Sequence, residues 1–206
     1  MDNLYQYLFY TSAGYIKKLG EGAYEELRYI LYEAPEEEKV VQFNKYLSDK
    51  KNIKKLQKVF PVIITTCISA HKLGEPAPMF DMVIVDEASQ CNTAISLVPI
   101  LRGEQLMLVG DPQQLNPVIL LDEQVNEKLR RKYNVADEYD YCKNSIYKTF
   151  LACDAVSDEV LLSHHYRCNP SIIDFNNRKY YNSKLKICSD SQETNPLVYV
   201  DVRNGD

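Results

Sequence analysis

The rhythm of apolar and polar positions changes near residue 60. Before it, apolar side chains recur at the three- and four-residue spacing of helices. Leu4, Leu8, Phe9, Leu27, Ile30 and Leu31 follow that spacing, interleaved with tyrosines. Pro35 and the three glutamates after it suit a first helical turn, with Val40, Phe43 and Leu47 along one side of the helix they open. Asp49 is placed to cap a further short helix. Ile53 and Leu56 form its apolar side, and Lys50, Lys51, Lys54, Lys55 and Lys58 crowd the rest.

After Pro61 the pattern becomes short unbroken apolar runs: Val62 to Ile64, Met82 to Val85 and Leu106 to Val109. Runs without polar alternation suit strands covered on both faces of a parallel sheet. Asn92 to Leu101 reads as a crossover helix, which makes the second and third strands parallel with a right-handed connection. If the first run joins them, Thr65-Thr66, Asp86-Glu87 and Gly110-Asp111 emerge along one edge. That edge is where ligands bind in such sheets. A helical and irregular stretch, about residues 122 to 158, leads to the cluster from Leu161 to Pro170. Asn169 or Ser171 is placed to cap the next helix, with Ile172, Ile173, Phe175 and Tyr180 as its buried side. A last strand is expected over residues 197–202. The resulting division is a helical segment over 1–60, an α/β segment over 61–155 and the start of another unit over 156–206.

Composition narrows the possible functions. A net charge of −5 and a pI of 5.3 exclude a uniformly basic nucleic-acid binder and leave room for a local cationic strip. The lysines after Asp49 read first as a solvated helix face, and a nucleic-acid groove is the sharper alternative. The early tyrosines read first as packing surface, with base stacking as the alternative. Six scattered cysteines form no CxxC pair, which points to free thiols in a reducing compartment. No apolar run approaches the roughly 20 residues of a membrane span. A soluble, cytoplasmic protein without membrane partners is expected.

The chemistry lies at the ends of the apolar runs. An acidic residue at a strand end can hold Mg²⁺ while its neighbour orients an attacking water, and Asp86 and Glu87 fit those two roles. Such a pair equally suits a solvent-facing helix cap. Asp111 and Gln114 end the next strand, where a neutral amide can sense a γ-phosphate. Gly110 and Pro112 suit the turn between them. In Tyr166-Arg167 a ring for stacking adjoins a guanidinium able to neutralise phosphate charge. His164 and His165 shape that turn rather than bind metal. The hydroxyls of Thr65, Thr66 and Ser69 suit a nucleic-acid backbone or the satisfaction of loop amides. A nucleotide site also needs a Gly-rich phosphate cradle ending in Lys-Ser or Lys-Thr. None of the seven glycines is spaced as GxxxxGK, and Lys148-Thr149 has no glycine nearby. The expectation is therefore part of a larger ATPase.

Four clusters in order carry a resemblance: Ile63-Ile64-Thr65-Thr66-Cys67, Val85 to Gln90, Val109 to Pro117, and His165 to Pro170. Together with Phe80-Asp81 and Phe175-Asn176-Asn177, they resemble superfamily 1 helicases, in the branch of the nonsense-mediated-decay helicase and senataxin, over about residues 60 to 203. The resemblance implies an α/β, partial RecA-like P-loop NTPase fold with a parallel sheet flanked by helices. Residues 61–155 would be the C-terminal part of a first RecA-like domain and 156–206 the beginning of a second. It implies ATP and Mg²⁺ as cofactors and single-stranded DNA or RNA as partner, together with the missing remainder of the helicase. Asp86 would be the Mg²⁺ residue, Glu87 the catalytic carboxylate, Gln114 the γ-phosphate sensor and Arg167 the finger from the second domain. Tyr166 would lie near the base, Asp111 beside the nucleotide, and Thr65, Thr66 and Ser69 would touch the single strand. The chain alone is expected to be inactive. A non-catalytic nucleic-acid- or protein-binding remnant is the alternative, and an unrelated Mg²⁺ phosphohydrolase using Asp86, Glu87 and Asp111 is a third reading.

Overall fold

Helices occupy the first sixty positions, as their spacing predicts: α1 (Asp2–Lys17), α2 (Glu25–Tyr32), α3 (Glu36–Leu47) and α4 (Lys50–Val59). The computed structural model describes residues 2–191, 196–198 and 200, and the chain divides into two compact units, Met1–Cys153 and Asp154–Asp206. Asp49 starts α4 by accepting the Lys51 N–H at 2.8 Å, which satisfies one of the orphan amides of the first turn. Glu36, Glu37 and Glu38 fill the first turn of α3, where the helix dipole favours acids. Leu27, Ile30, Tyr46, Leu47, Leu56 and Val59 close the core of these helices, and Leu27 is 0% exposed. Val40 is exposed, contrary to its expected place on the buried side of α3. The buried residues of α3 are Tyr46 and Leu47 near its end, with Phe43 packed partly against the same core, while Val40 lies nearer the start of the helix. Along α1, Leu4, Leu8 and Phe9 are also exposed.

The second and third apolar runs form β1 (Phe80–Val85) and β2 (Gly103–Leu108), paired in parallel with Val83 opposite Leu106 and Val85 opposite Leu108. The crossover between them is α5 (Thr93–Ile100), capped by Asn92, whose side chain accepts the Ile95 N–H at 2.9 Å. One face of this pair is covered. Val83, Val85, Leu106 and Leu108 pack there with Ile100 and with Ile146 and Phe150 of α7 (Ile146–Cys153). On the other face Ile84 is 60% exposed, and its register partner Met107 and neighbour Met82 are exposed too. The expectation of strands buried on both faces therefore holds for one face.

The first apolar run is no strand. Phe60 and Ile63 pack against the helical core and keep residues 60–64 with the helices, while Val62 and Ile64 point to solvent, Ile64 being 94% exposed. A buried cation links the two parts of the first unit. Arg102, 4% exposed, donates to the carbonyl of Val98 and, at 2.6 Å, to that of Gly74. Gly74 sits at φ +87°, a backbone conformation that favours glycine. Between β2 and α7, α6 (Glu123–Tyr133) is fastened by buried Asp140, which accepts from Asn126 at 2.8 Å, from Arg130 at 2.7 Å and from the Cys142 N–H at 3.0 Å.

In the second unit β3 (His164–His165) pairs in parallel with β4 (Lys186–Ile187), and α8 (Pro170–Tyr180) lies between them in sequence. Asn169 caps α8 by accepting the Ser171 N–H at 3.0 Å. Asn177 closes the unit, donating to the Leu185 carbonyl at 3.0 Å and accepting its N–H at 2.9 Å. Ile173 is buried as expected. Phe175 and Tyr180 are instead exposed, with the Lys179 ammonium over both rings. The strand expected over 197–202 falls partly outside the described residues, and its described positions form no strand. Among the described residues no helix is long and apolar enough to cross a membrane.

Candidate functional site

The covered face of the sheet fixes where its carboxyl ends emerge. Val85 is buried in the core, and the chain turns at once into Asp86-Glu87. Asp86 Oδ1 accepts the Glu87 N–H at 2.9 Å, and Glu87 takes a left-handed conformation, φ 50° and ψ 38°. That turn exposes both carboxylates. Glu87 Oε2 accepts from the Gln90 side-chain amide at 3.2 Å.

The loop leaving β2 is tied to this acidic turn at three points. The Val109 N–H donates to the Val85 carbonyl at 2.9 Å, the Ala88 N–H donates to the Val109 carbonyl at 2.8 Å, and the Asp111 N–H donates to Ser89 Oγ at 3.2 Å. Ser89 is buried beneath the contact. A Cβ on Gly110 would lie 2.8 Å from the Ser89 nitrogen, so close approach of two backbones, rather than an unusual dihedral, demands glycine there. Asp111 Oδ1 accepts the Gln113 N–H at 3.0 Å and Oδ2 accepts from the Gln114 side chain at 2.9 Å. Lys148 of α7 reaches Asn116 Oδ1 at 2.7 Å and so braces the rest of the Gln113-to-Pro117 stretch. The acidic pair and the amide loop are thereby held side by side.

Thr65, Thr66 and Ser69 precede the sheet on the chain. Thr66 Oγ1 accepts the Ser69 N–H at 3.2 Å and starts a 3-10 turn, Ser69–Leu73. Cys67 packs against the core under Val85 and Ala88, bringing this segment beside the acidic turn. Burial, and then the neighbouring Cys67, raise the Cys91 thiol above its ordinary range, so it stays protonated at neutral pH.

Tyr166 and Arg167 belong to the second unit. His165 Nε2 accepts the Cys168 N–H at 2.8 Å, the turn-shaping role expected of it, and the Tyr166 ring stacks on His164 at 6.4 Å between centroids. Both Tyr166 and Arg167 are exposed, and no acceptor among the described residues engages the guanidinium. Two residues of this region escaped sequence reasoning. Ser89 is visible only as a small polar residue after the acidic pair, and Arg102 looks like a surface charge until its burial is seen.

An acidic turn and an amide loop joined at the carboxyl ends of parallel strands are what a nucleotide-hydrolysing site requires of this half of its sheet. A family profile described as an AAA domain matches residues 28–122, a P-loop NTPase-type domain. Helicase SEN1 of Saccharomyces cerevisiae is 34% identical over 57% of this chain and 5% of its own length. These likenesses support a superfamily 1 helicase fragment of the Sen1 type. Two further relatives agree. The DNA replication ATP-dependent helicase/nuclease DNA2 of Xenopus laevis is 32% identical over 63% of the chain and 11% of its own length, and human RNA helicase Mov10l1 is 30% identical over 74% and 13%. The chain spans 5% to 13% of the lengths of these relatives. The resemblance read from the four clusters is borne out, and so is an α/β fold with a parallel sheet.

Proposed function

We propose that the chain is the central part of an ATP-dependent helicase, a superfamily 1 motor with two RecA-like domains that couples ATP hydrolysis to movement along single-stranded DNA or RNA. The observation that carries this reading is the fastening of the Asp86-Glu87 turn to the Asp111–Gln114 loop through Ser89 and the Val85–Val109–Ala88 backbone bonds. The first unit would supply the C-terminal part of the first RecA-like domain, behind the helical segment, and the second unit the beginning of the next.

Asp86 is the Mg²⁺ residue in this reading. One of its oxygens is used by the Glu87 N–H, and the other has no partner among the described residues. No cluster of three His, Cys, Asp or Glu able to hold a metal occurs among the described residues. That suits Mg²⁺, which is commonly held by one or two carboxylates with substrate phosphates and water rather than by a protein cage. When bound with ATP, the ion neutralises charge on the phosphates. Glu87 orients the attacking water and takes its proton. Gln114, fixed by Asp111 in this state, senses the γ-phosphate. Asp111 holds the loop beside the nucleotide, Arg167 neutralises charge on the γ-phosphate from the second unit, and Tyr166 stacks near the base. Thr65, Thr66 and Ser69 contact the strand, although Thr66 Oγ1 already serves a loop amide.

The lack of a Gly-rich cradle in the chain makes the remainder of the helicase a required partner and the chain alone inactive. The same lack favours the second reading, a non-catalytic remnant that binds nucleic acid or protein. The cytoplasm is the proposed compartment. ATP turnover with and without single-stranded nucleic acid is the test. The 206-residue chain should show none. A longer polypeptide that adds a GxxGxGKT-bearing segment should hydrolyse ATP and lose about 10² or more of its rate on Glu87→Gln. Turnover by the chain alone that Glu87→Gln abolishes would contradict the claim of inactivity. Unchanged turnover in the longer Glu87→Gln protein would contradict the role of Glu87.

A further inference from the structure

The helical segment carries a feature that the ATP site does not use. Asn52, Ile53, Leu56 and Val59 turn the apolar side of α4 inward, leaving Lys51, Lys54 and Lys58 exposed along the opposite edge. Lys50 is held by Glu75 at 2.6 Å and Lys55 is half-buried, but no carboxylate among the described residues pairs with Lys51, Lys54 or Lys58. A bare row of lysines on a chain of net charge −5 is a local reversal of sign. The C-terminal end of α1 lies against the same helix. The Lys18 ammonium follows α1, donates to the Lys58 carbonyl at 3.0 Å and sits 4.7 Å from the centre of the Tyr15 ring. Further along α1, Tyr5, Tyr7 and Tyr10 are exposed, Tyr10 at 73%.

We infer that the Lys51–Lys54–Lys58 edge of α4 is a binding surface for the phosphate backbone of nucleic acid, separate from Thr65, Thr66 and Ser69. Lysines three and four positions apart stand on one side of a helix, about 5–6 Å from one another, and present a line of ammonium groups to a phosphate backbone. A protein partner would use the apolar surface of α1 and leave the lysine row without a purpose. The inference rests on the helicase reading only in taking the polyanion to be nucleic acid.

The test is binding of a fluorescent single-stranded oligothymidylate to the intact chain, followed by anisotropy across a salt series. Lys51→Gln, Lys54→Gln and Lys58→Gln combined should weaken binding by roughly 10²-fold at about 0.1 M salt and flatten the log–log salt slope by about 2, from three contacts of about 0.7 each. Every altered side chain is exposed, and far-UV circular dichroism checks that the helices persist. Unchanged affinity and slope in the lysine variant would overturn the inference. Self-association through α1 with no oligonucleotide binding would overturn it too. Loss of binding in Thr65→Ala/Thr66→Ala with the lysine variant intact would leave the helicase reading standing and this one refuted. If the chain binds no oligonucleotide, this inference falls, and the ATP-turnover test decides the helicase reading by itself.

Discussion

Within the first unit the helical segment and the two-stranded sheet bury their apolar surface in opposite ways. The helices surround a closed core in which Leu27 has no solvent contact, so most of their stabilisation is internal to residues 19–60. The sheet closes one face against α5 and α7 and leaves Met82, Ile84 and Met107 exposed on the other. An amphipathic helix chooses its buried stripe by rotating, whereas a strand of unbroken apolar residues has two faces and must find a cover for each. The polar chemistry sits on the half-covered element, and the self-contained core lies beside it.

Truncation is the strongest way to break this contrast. Leu27→Ala should cost about 2–5 kcal/mol in chemical denaturation, because a fully enclosed cavity opens in the helical core. Ile84→Ala should stay within about 0.5 kcal/mol, as a surface change does. Equal losses would mean that the open face is covered in solution. Gly110→Ala comes next. Its methyl group has no room against the Ser89 backbone, and overpacking of this kind costs about 1–3 kcal/mol. Faster hydrogen exchange confined to residues 86–90 and 109–114 would identify the loop contact as the place where the loss falls.

Acid should act on another part of the unit, the anchor of α6. Burial alone would raise the Asp140 carboxyl, but the bonds from Asn126 and the Cys142 N–H and the charge of Arg130 outweigh it and hold it below the usual carboxylate range. Its contribution is therefore complete above the unfolded value of about 3.9 and is lost as pH falls through the lower folded value. Urea midpoints for the wild type and Asp140→Asn should lie apart at neutral pH and converge below about pH 4. Parallel curves would show that this carboxylate is not what acid attacks. Ser89→Ala should cost about 1 kcal/mol through loss of the Asp111 N–H bond to Ser89 Oγ, less than Gly110→Ala and more than Ile84→Ala.

Much of this architecture was legible before any coordinates. The parallel pairing of β1 and β2, the α5 crossover and the caps at Asp49 and Asn169 follow from turn chemistry and from apolar runs, which are local signals. The first apolar run was misread because a three-residue string is compatible with any apolar surface, and Phe60 and Ile63 found one in the helices first. The open sheet face was missed for a related reason. A continuous run tells that both faces want cover and does not tell whether the cover lies nearby. At the site, Asp86-Glu87 and Asp111–Gln114 could be placed at neighbouring strand ends. Ser89 and Gly110 could not be seen as the link, because the contact joins residues about twenty positions apart and depends on how closely two turns approach.

Glu87 sets durability against chemistry at a single position. A side chain bearing a Cβ at φ 50° costs about 1–2 kcal/mol, and glycine would recover it. Engineering this protein for heat tolerance would therefore favour removing the very acid on which its proposed turnover depends, and a hardened variant would be the first suspect for silent loss of activity.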